Sequence, residues 1–404
     1  MSGRDCDIAI VGGGLSGGLI ALALARRRPD IRTRLIEAGP RLGGNHRWSW
    51  FASDLDAAGT ALMDGFRKAE WEDGYDIAFP GEERRLPTPY RSLSSADFAA
   101  ALHRELPDST VMTGTQVASL DASGVTLRDG GRITAHSVID ARGFATSGNL
   151  NGGWQVFMGR HLRTEQPHGV SRPVIMDATV DQLAPWGNGG AYRFVYVLPL
   201  GAHDLFVEDT YYADDPQLDR SALSGRIDRY MREHGWEGEP VSFEMGVLPV
   251  ITGGNFRAHQ DAQRIPGVAI AGARGGFVHP LTSYTLPQAV RIALLVAQDA
   301  DLPGDQLAAR LEALAREHWG RTGFYRTLGR MLFAAARPDE RYRVFQRFYG
   351  LSEPLIERFY AARSTFFDRM RILVGRPPVP IGRAIRALTT HQPQPLDANR
   401  KARS

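Results

Sequence analysis

The sequence predicts an α/β fold, in which a Rossmann-type nucleotide-binding domain is combined with a β-rich second domain and a helical C-terminal region. Three features lead to it. Gly12, Gly14 and Gly17 lie between the apolar run Ile8 to Val11 and a helix-like stretch from Leu15 to Arg28; the chain turns strand-rich from about residue 151 to 255; and its pattern is helical beyond Gly304.

The glycines carry the strongest constraint. The first allows a tight strand-to-helix turn, the second lets main-chain N–H groups approach a pyrophosphate, and the third lets the helix pack on the strand. The positive end of the helix dipole then attracts the phosphate charge. Pro29 stops this helix, and the next strand, Thr33 to Ile36, ends at Glu37, 20 residues after Gly17, where an acid meets ribose hydroxyls. Strand, glycines, helix, strand and acid in that order are far more specific than the glycines alone.

The segment Gly43-Gly44-Asn45-His46-Arg47-Trp48-Ser49-Trp50 is compatible with backbone lying close to a cofactor ring, and equally with a loop that packs two tryptophans. Residues 75 to 93 read as short strands punctuated by Pro80, Gly81, Pro87 and Pro89, and Ser94 or Ser95 caps a helix to about Leu106. Hairpin signals fill Thr110 to Asp140, followed by Ala141-Arg142-Gly143. Strands Arg193 to Leu200 and Leu205 to Tyr212 mark the β-rich part. Gly267 to Gly272 is a buried strand that leads through Gly275-Gly276 and His279-Pro280 into a helix from about Leu286 to Ala300. The expected division is 1–74, 94–150 and 256–303 for the nucleotide domain, 75–93 and 151–255 for the β-rich domain, 304–391 helical, and a polar disordered tail over 392–404.

Bulk composition narrows the class. The 404 residues are 43% hydrophobic and 23% charged, with no run approaching the ~18 apolar residues of a spanning helix. The first strand begins by Asp7, which leaves no room for a secretory leader and predicts a cytoplasmic chain. Cys6 is the only cysteine, which excludes internal disulfides, cysteine metal clusters and dithiol redox chemistry; no metal site is expected. The net charge is +3, with no nucleic-acid motif, so nucleic acid is not an expected partner.

A nucleotide unit, a strand-rich insertion and a late strand with glycine turn and helix resemble flavoproteins of the hydroxylase-like two-domain fold. Two family motifs are altered: the Asp-Gly pair reads Asp140-Ala141-Arg142-Gly143, and the Gly-Asp pair reads Gly272-Ala273-Arg274. These departures count against an ordinary NADPH-dependent monooxygenase. From about Asp7 to His391 the chain is similar to the bacterial lycopene β-cyclase family. The resemblance rests on Gly43 to Ser49, Pro173 to Gln182, Tyr192 to Tyr196, Glu208-Asp209-Thr210, Phe277 to Tyr284, Arg330 to Phe333 and Arg347 to Leu351. The family also tends to lack the Gly-Asp acid. Ser283 stands where the family commonly has Gly.

The resemblance implies redox-neutral cyclisation of lycopene and related acyclic carotenoids. It further implies FAD in its reduced form, with NAD(P)H as priming reductant, held by Gly12, Gly14, Gly17, Glu37, Gly43, Gly44, Arg142, Gly272, Gly275 and Gly276. The family's acidic motif falls on Glu208-Asp209-Thr210. Strand alternation lets only one of the adjacent carboxyls face a given cavity, and Glu208 is the expected proton donor, with Asp209 supporting the fold or orienting a neighbour. His279 is expected to contact the flavin or assist deprotonation, or else to be a loop residue. Trp48, Trp50, Phe194, Tyr196 and Tyr284 are expected to line the pocket, where aromatic faces stabilise a cation.

A water-insoluble substrate implies a membrane partner, reached peripherally from the cytoplasmic side. The stretch Arg321 to Arg386, with 14 arginines, no lysine, five acids and 11 Phe or Tyr, fits interfacial docking; a salt-bridged helical domain is the alternative. A flavin monooxygenase, a prenyl-chain reductase and a non-catalytic lipid-carrying flavoprotein are the competing functions, each with different electron accounting. The number of ends cyclised and the oligomeric state stay open.

Overall fold

The computed structural model describes residues 4–182, 192–336, 340–374 and 394–397. Strand Cys6–Val11 lies at the centre of the first sheet, parallel to Thr33–Ile36 on one side and to Arg132–Asp140 on the other. Val268–Ile270 runs parallel beyond Arg132–Asp140, so the late strand does return to the nucleotide domain. Ile8, Ala9 and Ile10 are no more than 1% exposed, as expected for a parallel strand covered on both faces. Helices Leu15–Arg27 and Leu286–Gln298 pack together over one face. The antiparallel strands Val117–Asp121, Gly124–Leu127 and Arg132–Asp140 bring Leu120, Val125 and Ile133 against the other. The first helix ends two residues before Pro29, because a residue preceding proline is pushed out of the helical region.

The second sheet runs in the order Gly238–Gly254, Ser147–Thr164, Asp204–Ala213, Tyr192–Pro199, Val174–Asp177, Tyr75–Phe79 and Glu82–Leu86. Helix Arg220–Glu233 covers one face, burying Leu223, Ile227 and Tyr230. The other face looks toward the nucleotide domain and the C-terminal helices.

Two expectations change here. Residues 75–93 do not form one unit: the hairpin Tyr75–Phe79 with Glu82–Leu86 joins the second sheet, whereas Tyr90–Ser94 pairs with Arg47–Phe51 and Ala69–Trp71 in a separate three-stranded sheet. Pro87 and Pro89, which lack a ladder donor, interrupt pairing between them. The polar tail is not wholly disordered either, for Pro395–Leu396 pairs with Ser147–Thr164, the Gly152 N–H donates to the Gln394 carbonyl at 2.8 Å, and Leu396 is 0% exposed. Polar composition concealed one apolar side chain with a core site. Residues 392–393 and 398–404 lie outside the described ones.

Of the C-terminal helices, Gly304–Arg321 packs on Val268–Ile270 and Arg132–Asp140 of the first sheet, Gly323–Ala335 packs on Gly238–Gly254 and Ser147–Thr164 of the second, and Tyr342–Tyr349, Glu353–Tyr360 and Phe366–Leu373 follow. Tyr192 and Phe345 stack with ring centroids 4.1 Å apart. Several arginines are internal ties: Arg341 is buried, the Arg326 guanidinium lies 3.6 Å from the Trp319 ring centroid, and Arg358 pairs with Asp368 at 2.6 Å. What faces outward is Phe366–Leu373, where Phe366 and Phe367 are 71% and 81% exposed.

Leu396→Ala should lower stability by about 2–3 kcal/mol through loss of burial and an unfilled cavity. Thermal or denaturant unfolding reads the effect, and a midpoint equal to wild type would show that the added strand contributes nothing.

Candidate active site

A cavity of about 480 Å³ opens at the carboxyl ends of the parallel strands, lined by Gly12, Gly14, Ser16, Glu37, Gly43, Gly44, Arg142 and Gly272, among others. This is where open α/β sheets bind their ligands. Gly12 has φ +106°, and a Cβ there would lie 2.8 Å from the Ala141 carbonyl carbon, so only glycine fits without strain. Gly17 lies beneath the cavity, and a Cβ on it would sit 1.9 Å from the Gly12 oxygen. Helix Leu15–Arg27 starts at Gly14 with no side-chain cap, and the buried Ser16 hydroxyl has no protein partner. An uncapped helix start and an orphaned hydroxyl beside a glycine turn fit a dinucleotide phosphate.

Glu37 accepts the Gly13 and Gly39 N–H groups, each at 2.7 Å, so its carboxylate braces the glycine turn as well as lining the cavity. Both altered motifs converge on Asp140: Arg142 donates to its two oxygens at 2.8 and 2.7 Å, and Arg274 lies 3.6 Å away. Gly275 and Gly276 do not line this cavity. They close the short turn Gly272–Gly275, with Gly276 at φ +86° against Phe256.

A second cavity, of about 280 Å³, adjoins the first, and His46, Trp48 and Thr285 border both. Its floor is the free face of the second sheet, where Tyr196, Glu208, Gly159 and Glu244 form one row across four strands. Phe194, Tyr196 and Tyr284 line it as expected, together with Phe51, Tyr90, Tyr212, Phe345 and Tyr360. The Tyr284 hydroxyl donates to the buried Asp54 carboxylate, which burial pushes up to about 6.

Glu208 borders the cavity and keeps some accessible surface, while protein atoms crowd around its carboxyl. Desolvation therefore dominates and pushes its carboxyl up to about 7, opposed by hydrogen bonds from Thr210, at 2.7 Å, and from Glu244. Burial and the nearby Glu208 raise Glu244 as well. The Arg47 guanidinium, 5.3 Å from the Phe206 ring centroid, is the cation that favours the charged forms of both carboxyls.

Three expected residues fall elsewhere. Asp209 points to the opposite face of the sheet, 0% exposed, where Arg193 donates to it at 2.6 and 2.8 Å and Arg226 lies 3.5 Å away. Its role is to neutralise buried charge beneath helix Arg220–Glu233. Trp50 is 3% exposed in the core and does not reach the cavity, which takes Arg47, Ser49 and Phe51 from the opposite face of that strand and Trp48 from near its start. His279 is also buried away from the cavity: Leu281 and Thr282 donate to its Nδ1, its Nε2 donates to the Phe359 carbonyl at 3.1 Å, and burial pushes it down to about 3. It is a neutral loop anchor. Ser283 has φ +57°, a left-handed conformation that favours glycine, and its hydroxyl donates to the Pro249 carbonyl at 2.8 Å.

Glu244, Tyr212, Phe345 and Tyr360 were missed from sequence. Nothing local announces that Glu244 shares a row with Glu208. The aromatic content of Arg321 to Arg386 was the available signal for Phe345 and Tyr360, and it pointed inward as well as outward.

A family model described as lycopene cyclase protein matches residues 7–386. The chain is 43% identical over 393 residues to the lycopene beta-cyclase of Pseudescherichia vulneris, covering 97% of this chain and 99% of that protein. It is 42% identical to the lycopene beta-cyclase of Pantoea ananas, covering 96% and 99%. Among solved structures it resembles tetracycline destructase Tet(51), with a TM-score of 0.56 at 14% identity over 92% of this chain and 99% of that one. It also resembles 2-methyl-3-hydroxypyridine-5-carboxylic acid oxygenase, with a TM-score of 0.52 at 13% identity over 81% and 90%. The fold is thus the flavoprotein hydroxylase-like one.

The folded protein holds the Glu208 proton more tightly than the unfolded chain does. That stabilisation is complete below the ordinary carboxyl value of 4.5 and is lost as pH rises through about 7. Glu208→Gln, which cannot ionise, should therefore raise the thermal midpoint relative to wild type at about pH 8 and gain little at about pH 5. Equal differences at both pH values would contradict a buried, proton-retaining carboxyl.

Proposed function

The chain belongs to the lycopene cyclase family, and from that premise we propose that it closes β-ionone rings at the ψ ends of lycopene and related acyclic carotenoids. Glu208 gives its proton to a terminal alkene carbon, ring closure leaves positive charge on a tertiary carbon, and loss of an adjacent proton sets the ring double bond. No net electron transfer occurs. The feature that carries this reading is a carboxyl on the floor of an aromatic cavity, pushed upward by burial, because an acid must hold its proton at neutral pH to protonate an alkene. Phe194 and Tyr196 offer ring faces to the cation, and the aromatic walls exclude the water that would capture it.

Gly12, Gly14, Ser16 and Glu37 line the cradle that suits FAD. The chemistry supplied by FAD bound there in its reduced form is fixed negative charge beside the cation, with NAD(P)H serving only as the priming reductant.

The substrate partitions into lipid, so a docking surface belongs to this reading. Phe366 and Phe367, with the exposed Met370, Leu373 and Val374 and the exposed Arg371, support a helix lying in the headgroup region of the cytoplasmic leaflet. No helix among the described residues is long and apolar enough to cross a membrane.

Lycopene supplied in D₂O with reduced FAD should yield cyclised product that carries solvent deuterium, without stoichiometric NADPH use. Glu208→Gln should retain flavin and lose about 100-fold or more in rate. Steady NADPH oxidation coupled to oxygen insertion or double-bond saturation would replace the cyclase reading with an oxygenase or reductase. For docking, the pair Phe366→Asp and Phe367→Asp should cut co-sedimentation with anionic vesicles by about tenfold while sparing activity on detergent-dispersed lycopene; undiminished sedimentation would remove this helix from the role.

A further inference from the structure

We propose that Glu244 passes protons from solvent to Glu208 through a second, polar cavity that is separate from the polyene's own, a role that rests on the cyclase reading above. Glu244 acts on the substrate only through Glu208, so it is a positioning residue in that reaction.

The geometry comes from the sheet. Gly159 stands opposite Glu208 on one neighbouring strand and opposite Glu244 on the other. With no side chain on Gly159, the two carboxyls meet over the middle strand and hydrogen-bond to each other. A Cβ there would lie 2.3 Å from the Phe206 ring and 3.0 Å from the Glu244 Cγ. Glu244 also borders two spaces. One is the aromatic cavity of about 280 Å³. The other, of about 430 Å³, lies one step along the strands, and its lining includes Arg41, Asn45, His46, His103, His161 and Ser242. Arg41, Asn45, His103 and Ser242 are exposed, so this second space opens to solvent.

The chemistry gives such a route a use. In each ring closure Glu208 gives one proton to the alkene, and the ring carbon releases one to a base that hands it to solvent; Glu208, facing bound hydrocarbon, is then restored by a proton that does not pass the polyene. Two buried carboxyls in contact do not both ionise, so a pair that begins with both protons still holds one, on Glu244, after the alkene is protonated, and its single charge lies near Arg47. After Glu208 protonates the alkene carbon, the Glu244 carboxylic acid transfers its proton to the Glu208 carboxylate. The resulting Glu244 carboxylate then takes a proton from hydronium in the polar cavity. No electrons move. The charged and titratable groups facing Glu244 are Glu208 from its own sheet, Arg41 and His46 from the loop before strand Arg47–Phe51, Arg47 from that strand, His161 from the middle strand and His103 from helix Ser95–Glu105. His161 is itself paired with Asp204 at 3.1 Å.

The test is Glu244→Gln, with bound flavin reporting the fold. At about pH 8, kcat should fall about tenfold or more with KM for lycopene unchanged, and the pH above which kcat declines should move down by about one unit or more. Glu244→Asp should recover part of the loss. An unchanged kcat and pH profile in the glutamine variant would overturn the relay. A second measurement needs no turnover: infrared difference spectra of substrate-free protein should show a protonated carboxyl that survives to higher pH in wild type than in Glu244→Gln. Loss of that band at the same pH in both would also overturn it. If wild type makes no cyclised product, the cyclase reading fails while the infrared result still decides the carboxyl pair.

Discussion

A carboxyl group enclosed by apolar and aromatic side chains keeps its proton, and the rest of this molecule is arranged around that constraint. Charge is costly inside protein, so Glu208 holds its proton above the ordinary carboxyl range only while the cavity above it excludes water. The exclusion is collective. The sheet supplies the floor through Phe194 and Tyr196, the short sheet supplies Phe51 and Tyr90, and the C-terminal helices close the space with Phe345 and Tyr360. The helical region is therefore part of the site's enclosure, held there by stacking such as that of Phe345 on Tyr192.

The two faces of one strand show how the fold separates charges with opposite duties. Glu208 and Asp209 are neighbours in sequence, yet the pleat sends one into the cavity and the other beneath helix Arg220–Glu233. Asp209, with Arg193 and Arg226, is a compensated buried charge, where removal of one partner would leave the others unpaired. Glu208 has a hydroxyl, a second carboxyl and Arg47 around it instead. That difference in environment leaves one of two adjacent acids paired with arginines and the other pushed upward by burial. The cofactor side is organised similarly: Arg142 and Arg274 stand at the two altered motifs, and both turn to the buried Asp140.

Much of this was legible from local patterns. The first strand, the glycine turn, the helix ending before Pro29 and the strand reaching Glu37 all follow from short-range rules, and each formed within a residue or two of its expected bounds. The choice of Glu208 over Asp209 followed from alternation together with the family resemblance. Trp50 was misjudged although the same alternation governs it, because a tryptophan beside a glycine-rich turn attracts a ligand interpretation that its buried face does not support. His279 failed for a related reason, since its two ring nitrogens are consumed by a loop and by a helix 80 residues away. Leu396 failed because a polar neighbourhood outweighed one apolar residue.

Glycine spacing, strand period and contiguous motifs are short-range properties, and they sufficed for the nucleotide-binding unit, the strand that carries the acid and the family to which the chain belongs. That Glu244 meets Glu208 across Gly159, that the arginine-rich helices close a cavity and that Phe366 and Phe367 are left outside emerged only on folding. Those outcomes depend on strand order and register between segments far apart in the chain, and on which helix face finds a sheet to cover. No local pattern encodes them, because a side chain's partners across a sheet are chosen by the packing of the whole.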